Sequence, residues 1–168
     1  MIYTGIGSRS TPNDVLVQMF EIGHQMAKAG WTLRSGHADG ADMAFEEGCK
    51  SAHGSMEIYV PWRGFNGASV QCIHTPPTEE DEQIAAKFHP AWDKLTPAAK
   101  LLMIRNGYQL FGNTYETQTE LVVCWTPNGS GQGGTGQAIR IANHFNIPVF
   151  DLAKRGSDRR FVEYVNSL

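Results

Sequence analysis

Cysteine is scarce in this chain: Cys49, Cys72 and Cys124 are the only three among 168 residues. They are scattered and odd in number, a pattern of reduced thiols rather than a disulfide frame, so a cytoplasmic setting is expected. Positive charge is also in short supply. Fourteen Lys and Arg against seventeen Asp and Glu give a formal net charge of −3, so the chain lacks the overall field that non-specific nucleic-acid binding draws on. No apolar run approaches the ~20 residues that span a bilayer, and Met1 leads into an apolar segment without a basic stretch before it. Neither export nor membrane insertion is expected. The Walker A pattern and the full Gly-x-Gly-x-x-Gly fingerprint are both missing, which argues against ATP hydrolysis and dinucleotide redox chemistry, and no cofactor is expected. Cys72 and His74 have no companions at ligand spacing and the other histidines are dispersed, so no structural metal is expected.

What is present is enough for a real core. With 41% apolar residues, the chain has the size of one compact domain over residues 1–168. Ile2 to Ile6 reads as a buried strand, and Thr11-Pro12 offers an N-cap with proline at the first helical position. Val15, Met19, Ile22, Met26 and Ala29 then recur on one face until Gly30. Trp31 to Ser35 is a second strand, a helix follows from near Gly40 through Met43, Ala44 and Phe45 towards Cys49 and His53-Gly54, and Met56 to Pro61 is a third strand. This alternation builds a parallel sheet through crossover helices. Residues 62–77 dissolve into Arg, Gly, Asn, Ser and paired prolines, too long for an ordinary connection, and read as a functional loop or lid. Helices are expected after Thr78 and after Thr96-Pro97, the latter carrying Leu101, Ile104, Tyr108 and Phe111 on one face. Leu121 to Trp125 is a continuous apolar strand for the centre of the sheet. A glycine tract over 128–136, a helix bearing Ala138, Ile141, Ala142 and Phe145, a strand from Pro148 to Leu152 and a helix from Asp158 to Leu168 complete an α/β, Rossmann-like three-layer sandwich with a mostly parallel central sheet.

In such a sheet the loops leaving the carboxyl ends of the strands share one edge, where a ligand meets helix amino termini. Three of these loops are glycine-rich: Gly5-Ile6-Gly7-Ser8-Arg9, Ser35-Gly36-His37-Ala38-Asp39-Gly40 and Gly133-Gly134-Thr135-Gly136. Any one of them is a weak signal, since glycine also serves tight turns. Together they favour a phosphate-bearing ligand, because glycine lets backbone approach closely, Ser and Thr add donors and Arg9 adds a cation. Arg105-Asn106, set within an apolar helical pattern, joins this group, with Arg63 as a further cation.

Asp39 and Asp42, three apart at a helix start, either cap the helix or supply a carboxylate to a ribose or to charge developing at an anomeric carbon. Glu46, four residues past Asp42, is a third candidate carboxylate or else a solvated side chain. His37 is a candidate acid or base, or a hydrogen-bonding loop residue. Trp62 and Phe65 are the best candidates for a base-stacking platform, whereas Trp125 is expected in the core.

Tyr3-Thr4-Gly5-Ile6-Gly7-Ser8-Arg9, Ser35 to Asp42, Arg105-Asn106 and Gly133 to Gly136 together resemble the SLOG superfamily, a Rossmann-like group that includes DprA (Smf) and the LOG phosphoribohydrolases. The resemblance runs from Ile2 to Leu152, with the Ser-Gly-x-Ala-x-Gly-x-Asp run close to DprA and the later glycine run closer to LOG. It implies a free-standing SLOG/DprA-like nucleotide-binding domain that takes a nucleotide or other phosphate-bearing ligand and forms a homodimer or higher oligomer. LOG enzymes release a base from a nucleoside 5′-monophosphate with a Pro-Gly-Gly-x-Gly-Thr-x-x-Glu motif. Here Gln132 stands at the proline position, Gln137 at the threonine and Arg140 at the glutamate. An N-glycosidase on this chain therefore takes its carboxylate from Asp39, Asp42 or Glu46. DprA-like proteins bind single-stranded DNA near a pair similar to Arg105-Asn106, so single-stranded DNA is the alternative partner, and non-catalytic sensing of a nucleotide is the third reading.

Overall fold

The computed structural model describes residues 1–168. Five strands, β1 (Ile2–Gly5), β2 (Thr32–Ser35), β3 (Met56–Ile58), β4 (Leu121–Cys124) and β5 (Val149–Asp151), form one sheet in the order β3-β2-β1-β4-β5. Every pairing is parallel, so the mostly parallel sheet read from the sequence is parallel throughout. Six helices complete the fold: α1 (Asn13–Lys28), α2 (Ala41–Ser51), α3 (Glu79–Phe88), α4 (Pro97–Phe111), α5 (Gly134–His144) and α6 (Ser157–Val165). No helix is long and apolar enough to cross a membrane.

The period-two alternation of the strands sorts the core into two layers. On one face Tyr3, Leu33, Leu121 and Val123 meet Met19, Met26, Phe45, Cys49 and Phe161 from α1, α2 and α6. On the other, Val122 and Cys124 meet Leu110 and Phe111 of α4 and Ala138, Ile141 and Ala142 of α5. Both helix layers thus cover a sheet whose apolar residues run on without polar interruption in β4, as a doubly covered parallel strand requires. Helices α1 and α2 cross closely enough that a Cβ on Gly23 would stand 2.5 Å from the Phe45 carbonyl oxygen.

Two local expectations are corrected. Pro12, not Thr11, occupies the N-cap position of α1, and the Thr11 hydroxyl instead donates to the Ser8 carbonyl at 2.6 Å, tying the first glycine loop to the helix start. Residues 62–77 are also less irregular than their composition suggests. Ile73 returns alongside Tyr59, donating its N–H to the Ile58 carbonyl at 2.7 Å and accepting from Val60 at 2.9 Å. That return covers the open edge of β3, which would otherwise leave unpaired backbone groups exposed. Phe65 is buried with Ala38 and Val60, so the segment is anchored to the second glycine loop. The capping expected at Thr78 is present as a reciprocal capping box with Asp81, and Thr96 caps α4 with Pro97 at its first position.

Candidate functional site

The β1–α1 loop, the β2–α2 loop and the start of α5 converge with one face of α4 on a cavity of about 410 Å³. This is the strand carboxyl edge on which the fold class places ligands. Gly7, Ser8 and Arg9 form one wall, Gly133, Gly134 and Thr135 another, and Asp42, Arg105, Asn106 and Gln109 the floor. Gly133 stands at φ 76, a left-handed conformation that glycine adopts without strain, and from there α5 begins. No group of the protein accepts from the N–H of Gly134 or Thr135. Two unpaired donors and the positive end of the α5 dipole therefore face the cavity, the arrangement that suits an anion. The loop before them is braced from behind: the Asp151 carboxylate accepts from both the Thr126 N–H and its hydroxyl, and the Thr126 hydroxyl oxygen accepts from Gly131 N–H at 3.0 Å.

Arg105 and Asn106 each fasten one glycine loop. Arg105 Nη1 donates to the Gly36 carbonyl at 2.5 Å, and Asn106 Nδ2 donates to the Gly134 carbonyl at 2.9 Å. Asp42 sits in the first turn of α2, 3% exposed, with Oδ2 4.0 Å from Arg105 Nη1 and 3.4 Å from the Ala38 N–H. Burial pushes its carboxyl up to about 6, against the pull of the Arg105 guanidinium and with a further push from Glu46. Burial likewise holds the Arg105 guanidinium below its ordinary value, and Asp42 opposes that shift.

The remaining sequence candidates are placed differently. Asp39 precedes the helix and lies outside the main cavity, in a recess of about 270 Å³ with Arg9, Trp62, Phe65 and Asn66. Its Oδ1 accepts from Asn66 Nδ2 at 2.9 Å. Glu46 is not solvated: it is 1% exposed and accepts from the His37 N–H at 2.9 Å and pairs with His37 Nδ1 at 2.7 Å. It holds His37, a non-glycine residue at φ 58, in the left-handed region and does not reach the cavity. Burial raises the Glu46 carboxyl above its ordinary value, with the His37 contacts opposing. Gly5 lies under the Phe45 ring, Ser35 donates to the Gly5 carbonyl at 2.7 Å, and Gly40, at φ 84, packs on the Ser8 and Arg9 backbone. Gly36 lies over Arg105 and Gln109, and Gly136 packs against the Gly131 carbonyl. These five shape the loops from behind, because each is turned toward protein atoms and away from the cavity.

Trp62 and Phe65 do pair, edge to face at 5.2 Å, with Phe65 buried and Trp62 half exposed over the smaller recess. Arg9 lines both spaces and so stands between them. Gln137 and Arg140, at the LOG threonine and glutamate positions, serve packing: Gln137 donates to the Ala85 carbonyl at 2.8 Å and Arg140 to the Phe88 carbonyl at 2.7 Å, joining α5 to α3. Gln109 and Asn66 were not anticipated. Gln109 lies one helical turn past Arg105 on α4, and that spacing in an apolar pattern is the signal that marks it.

The raised carboxyls make stability depend on pH in a defined direction. Between about pH 4 and pH 6 the unfolded chain, with an ordinary Asp42, releases its proton before the native chain does, so native stability falls as pH rises through that window. The thermal midpoint is expected to decline from pH 4 to pH 6, and Asp42→Asn to flatten that decline, as measured by scanning calorimetry across pH.

No family model matches the chain, and no curated protein matches it. Solved structures do. The Chlamydomonas Moco carrier protein superposes at a TM-score of 0.56 and 19% identity, over 99% of this chain and 84% of its own. DNA processing protein A from Helicobacter pylori, solved for its single-stranded DNA binding mode, gives 0.53 at 14% identity over 90% of this chain and 64% of its own. The structural-genomics protein TM1055 gives 0.52 at 17% identity over 94% and 78%. All three share the α/β fold of this chain.

Proposed function

We propose that this chain, which has the SLOG-type fold, binds a nucleoside 5′-monophosphate or a related nucleotide in the three-loop cavity and cleaves its N-glycosidic bond. The observation that carries the reading is the presence, in one cavity, of an anion seat at the α5 start and a buried carboxylate, Asp42. The unpaired N–H groups of Gly134 and Thr135, with Ser8 and Arg9, take the phosphate. A carboxylate with its pKa near 6 is mostly ionised at neutral pH yet basic enough to accept a proton. In the reaction the C1′–N bond breaks with its electron pair going to the base, water oxygen bonds to C1′, Asp42 accepts the proton that water gives up, and that proton then passes to the departing base nitrogen, which restores the Asp42 carboxylate. Ionised Asp42 also stabilises the positive charge that develops at C1′. The products are free base and the sugar phosphate.

The test is to incubate the protein with a panel of nucleotides and follow free base by chromatography. Release of base from at least one nucleotide is expected, and Asp39→Asn is expected to leave that release nearly unchanged, because Asp39 is hydrogen-bonded to Asn66 outside the cavity. Absence of base from every nucleotide overturns the enzymatic reading.

A second reading, tight capture without turnover, is supported by the likeness over 99% of the chain to a protein that is a carrier for Moco. High affinity for a mononucleotide with no product would favour it. DprA-like strand binding has less support, given the net charge of −3, and a salt-dependent affinity for oligonucleotides would be its mark.

A further inference from the structure

Arg9 lines both the main cavity and the recess of about 270 Å³ beside it, and neither the α5 anion seat nor Asp42 borders that recess. Two of the residues that do border it are aromatic, Trp62 and Phe65, whereas none of those lining the main cavity is. Of the four tryptophans in the chain, Trp62 alone is exposed, at 37%. Phe65 meets it with 87° between the ring planes, so it covers one indole face at most, and no other ring and no cation lies on Trp62. A flat apolar face left to water is surface that a flat ligand gains by covering.

The indole is also held in place before any ligand arrives. Phe65 beneath it is buried with Ala38 and Val60, and its ring centre lies 5.8 Å from the guanidinium carbon of Arg105. The Phe65 N–H donates to the Trp62 carbonyl at 3.2 Å, which closes the turn between the two rings. Asn66 Nδ2 donates to the His37 carbonyl at 3.0 Å and to Asp39 Oδ1 at 2.9 Å, so the turn is tied to the β2–α2 loop. That same loop carries Ala38 into the main cavity and leads directly to Asp42 in the first turn of α2. Trp62 is therefore fixed relative to the proposed nucleotide site, and little ordering cost falls on a ligand that uses it.

A nucleotide with its phosphate at the α5 start and C1′ beside Asp42 has one part left to place, the base. It is the flat part of the ligand, and the main cavity offers it no ring to stack on. We infer that Trp62, backed by Phe65, is the seat on which the base stacks, so that the chain favours purine nucleotides over pyrimidine nucleotides. This rests on the proposed nucleotide site and adds its base class. A purine lays two fused rings on the indole where a pyrimidine lays one, so the preference comes from stacked area.

The experiment is calorimetric titration, with tryptophan emission followed in parallel, of the whole chain and of Trp62→Ala and Trp62→Phe. The probes are adenosine, guanosine, cytidine and uridine 5′-monophosphates, and ribose 5-phosphate, which lacks a base. At least one purine nucleotide is expected to bind about tenfold or more tightly than ribose 5-phosphate, and more tightly than either pyrimidine nucleotide. Trp62→Ala is expected to weaken that purine by about fivefold to hundredfold and to leave ribose 5-phosphate unchanged, while Trp62→Phe keeps the greater part of the affinity. The purine is expected to quench the wild-type emission and not that of either variant. A purine no tighter than ribose 5-phosphate, with both bound, overturns the base seat and leaves the phosphate site standing. Purine affinity and quenching that survive Trp62→Ala overturn the role of Trp62. Equal affinity for purine and pyrimidine nucleotides overturns the selection. Failure of every probe to bind overturns the seat and the proposed site together.

Discussion

Replacing Asp42 by asparagine is expected to lower the rate of base release by about 10²–10⁴-fold, the range that loss of a positioned general base produces. The substitution keeps shape and removes the proton-accepting charge from a side chain that is 3% exposed. Because the carboxyl titrates near 6, and because it is the ionised form that accepts the proton, the wild-type rate is expected to rise with pH through that value and then level off. The variant should show no such rise. A rate that falls through the same window would mean that the protonated carboxyl acts, as an acid toward the departing base. Nucleotide affinity is the necessary companion measurement: a variant that binds normally but does not turn over places the loss in the chemical step.

The second large effect is expected at Gly36. A methyl group there would collide with the Arg105 guanidinium and the Gln109 amide, both buried side chains of α4. Gly36→Ala therefore forces Arg105 off the Gly36 carbonyl, where Nη1 now donates at 2.5 Å, and displaces two side chains that line the cavity, Arg105 and Gln109. Overpacking of this kind costs roughly 1–3 kcal/mol. Nucleotide affinity is expected to fall by more than about tenfold, since a displacement worth 1.4 kcal/mol at the site already changes binding by that factor. Denaturant unfolding and titration calorimetry on the same variant measure the two effects separately. Gly133→Ala offers a contrast: no atom lies within 4 Å of a Cβ built there, so any loss at that position reflects its φ of 76 and not a clash.

Much of this architecture was legible in local pattern. The periodic apolar positions of α1, the unbroken run of β4 and the caps at Thr78 and Thr96 act over a few residues, where propensity and burial agree. The return of Ile73 onto the edge of β3 was hidden, because it depends on a pairing fourteen residues apart and not on the composition of the loop between. In the site, the three glycine loops were identified as a set by their place after strands, which topology brings together. Their division of labour was not. Asp39 and Asp42 look equivalent in sequence, yet Gly40 at φ 84 separates them, so Asp42 enters the helix facing the cavity while Asp39 turns toward Asn66. Glu46 has the spacing of a surface pair with Asp42, but the left-handed His37 backbone needs an acceptor for its N–H, and Glu46 provides it. Gln109 was missed because a lone polar residue late in an apolar helix reads as tolerance, although its spacing of four from Arg105 puts both on one face of α4.

On the proposed function, the cavity at the sheet edge holds a phosphate-bearing nucleotide. Titration calorimetry comparing a nucleoside 5′-monophosphate with the same nucleoside lacking its phosphate, for the wild-type chain and for a Ser8→Ala, Thr135→Ala double variant, tests it most directly. The expected result is that the phosphate strengthens binding by about tenfold or more and that the double variant gives back part of that gain, as charge-assisted hydrogen bonds from Ser8, Thr135 and the α5 start require. Equal affinity for the two ligands, or no binding of either, would contradict it.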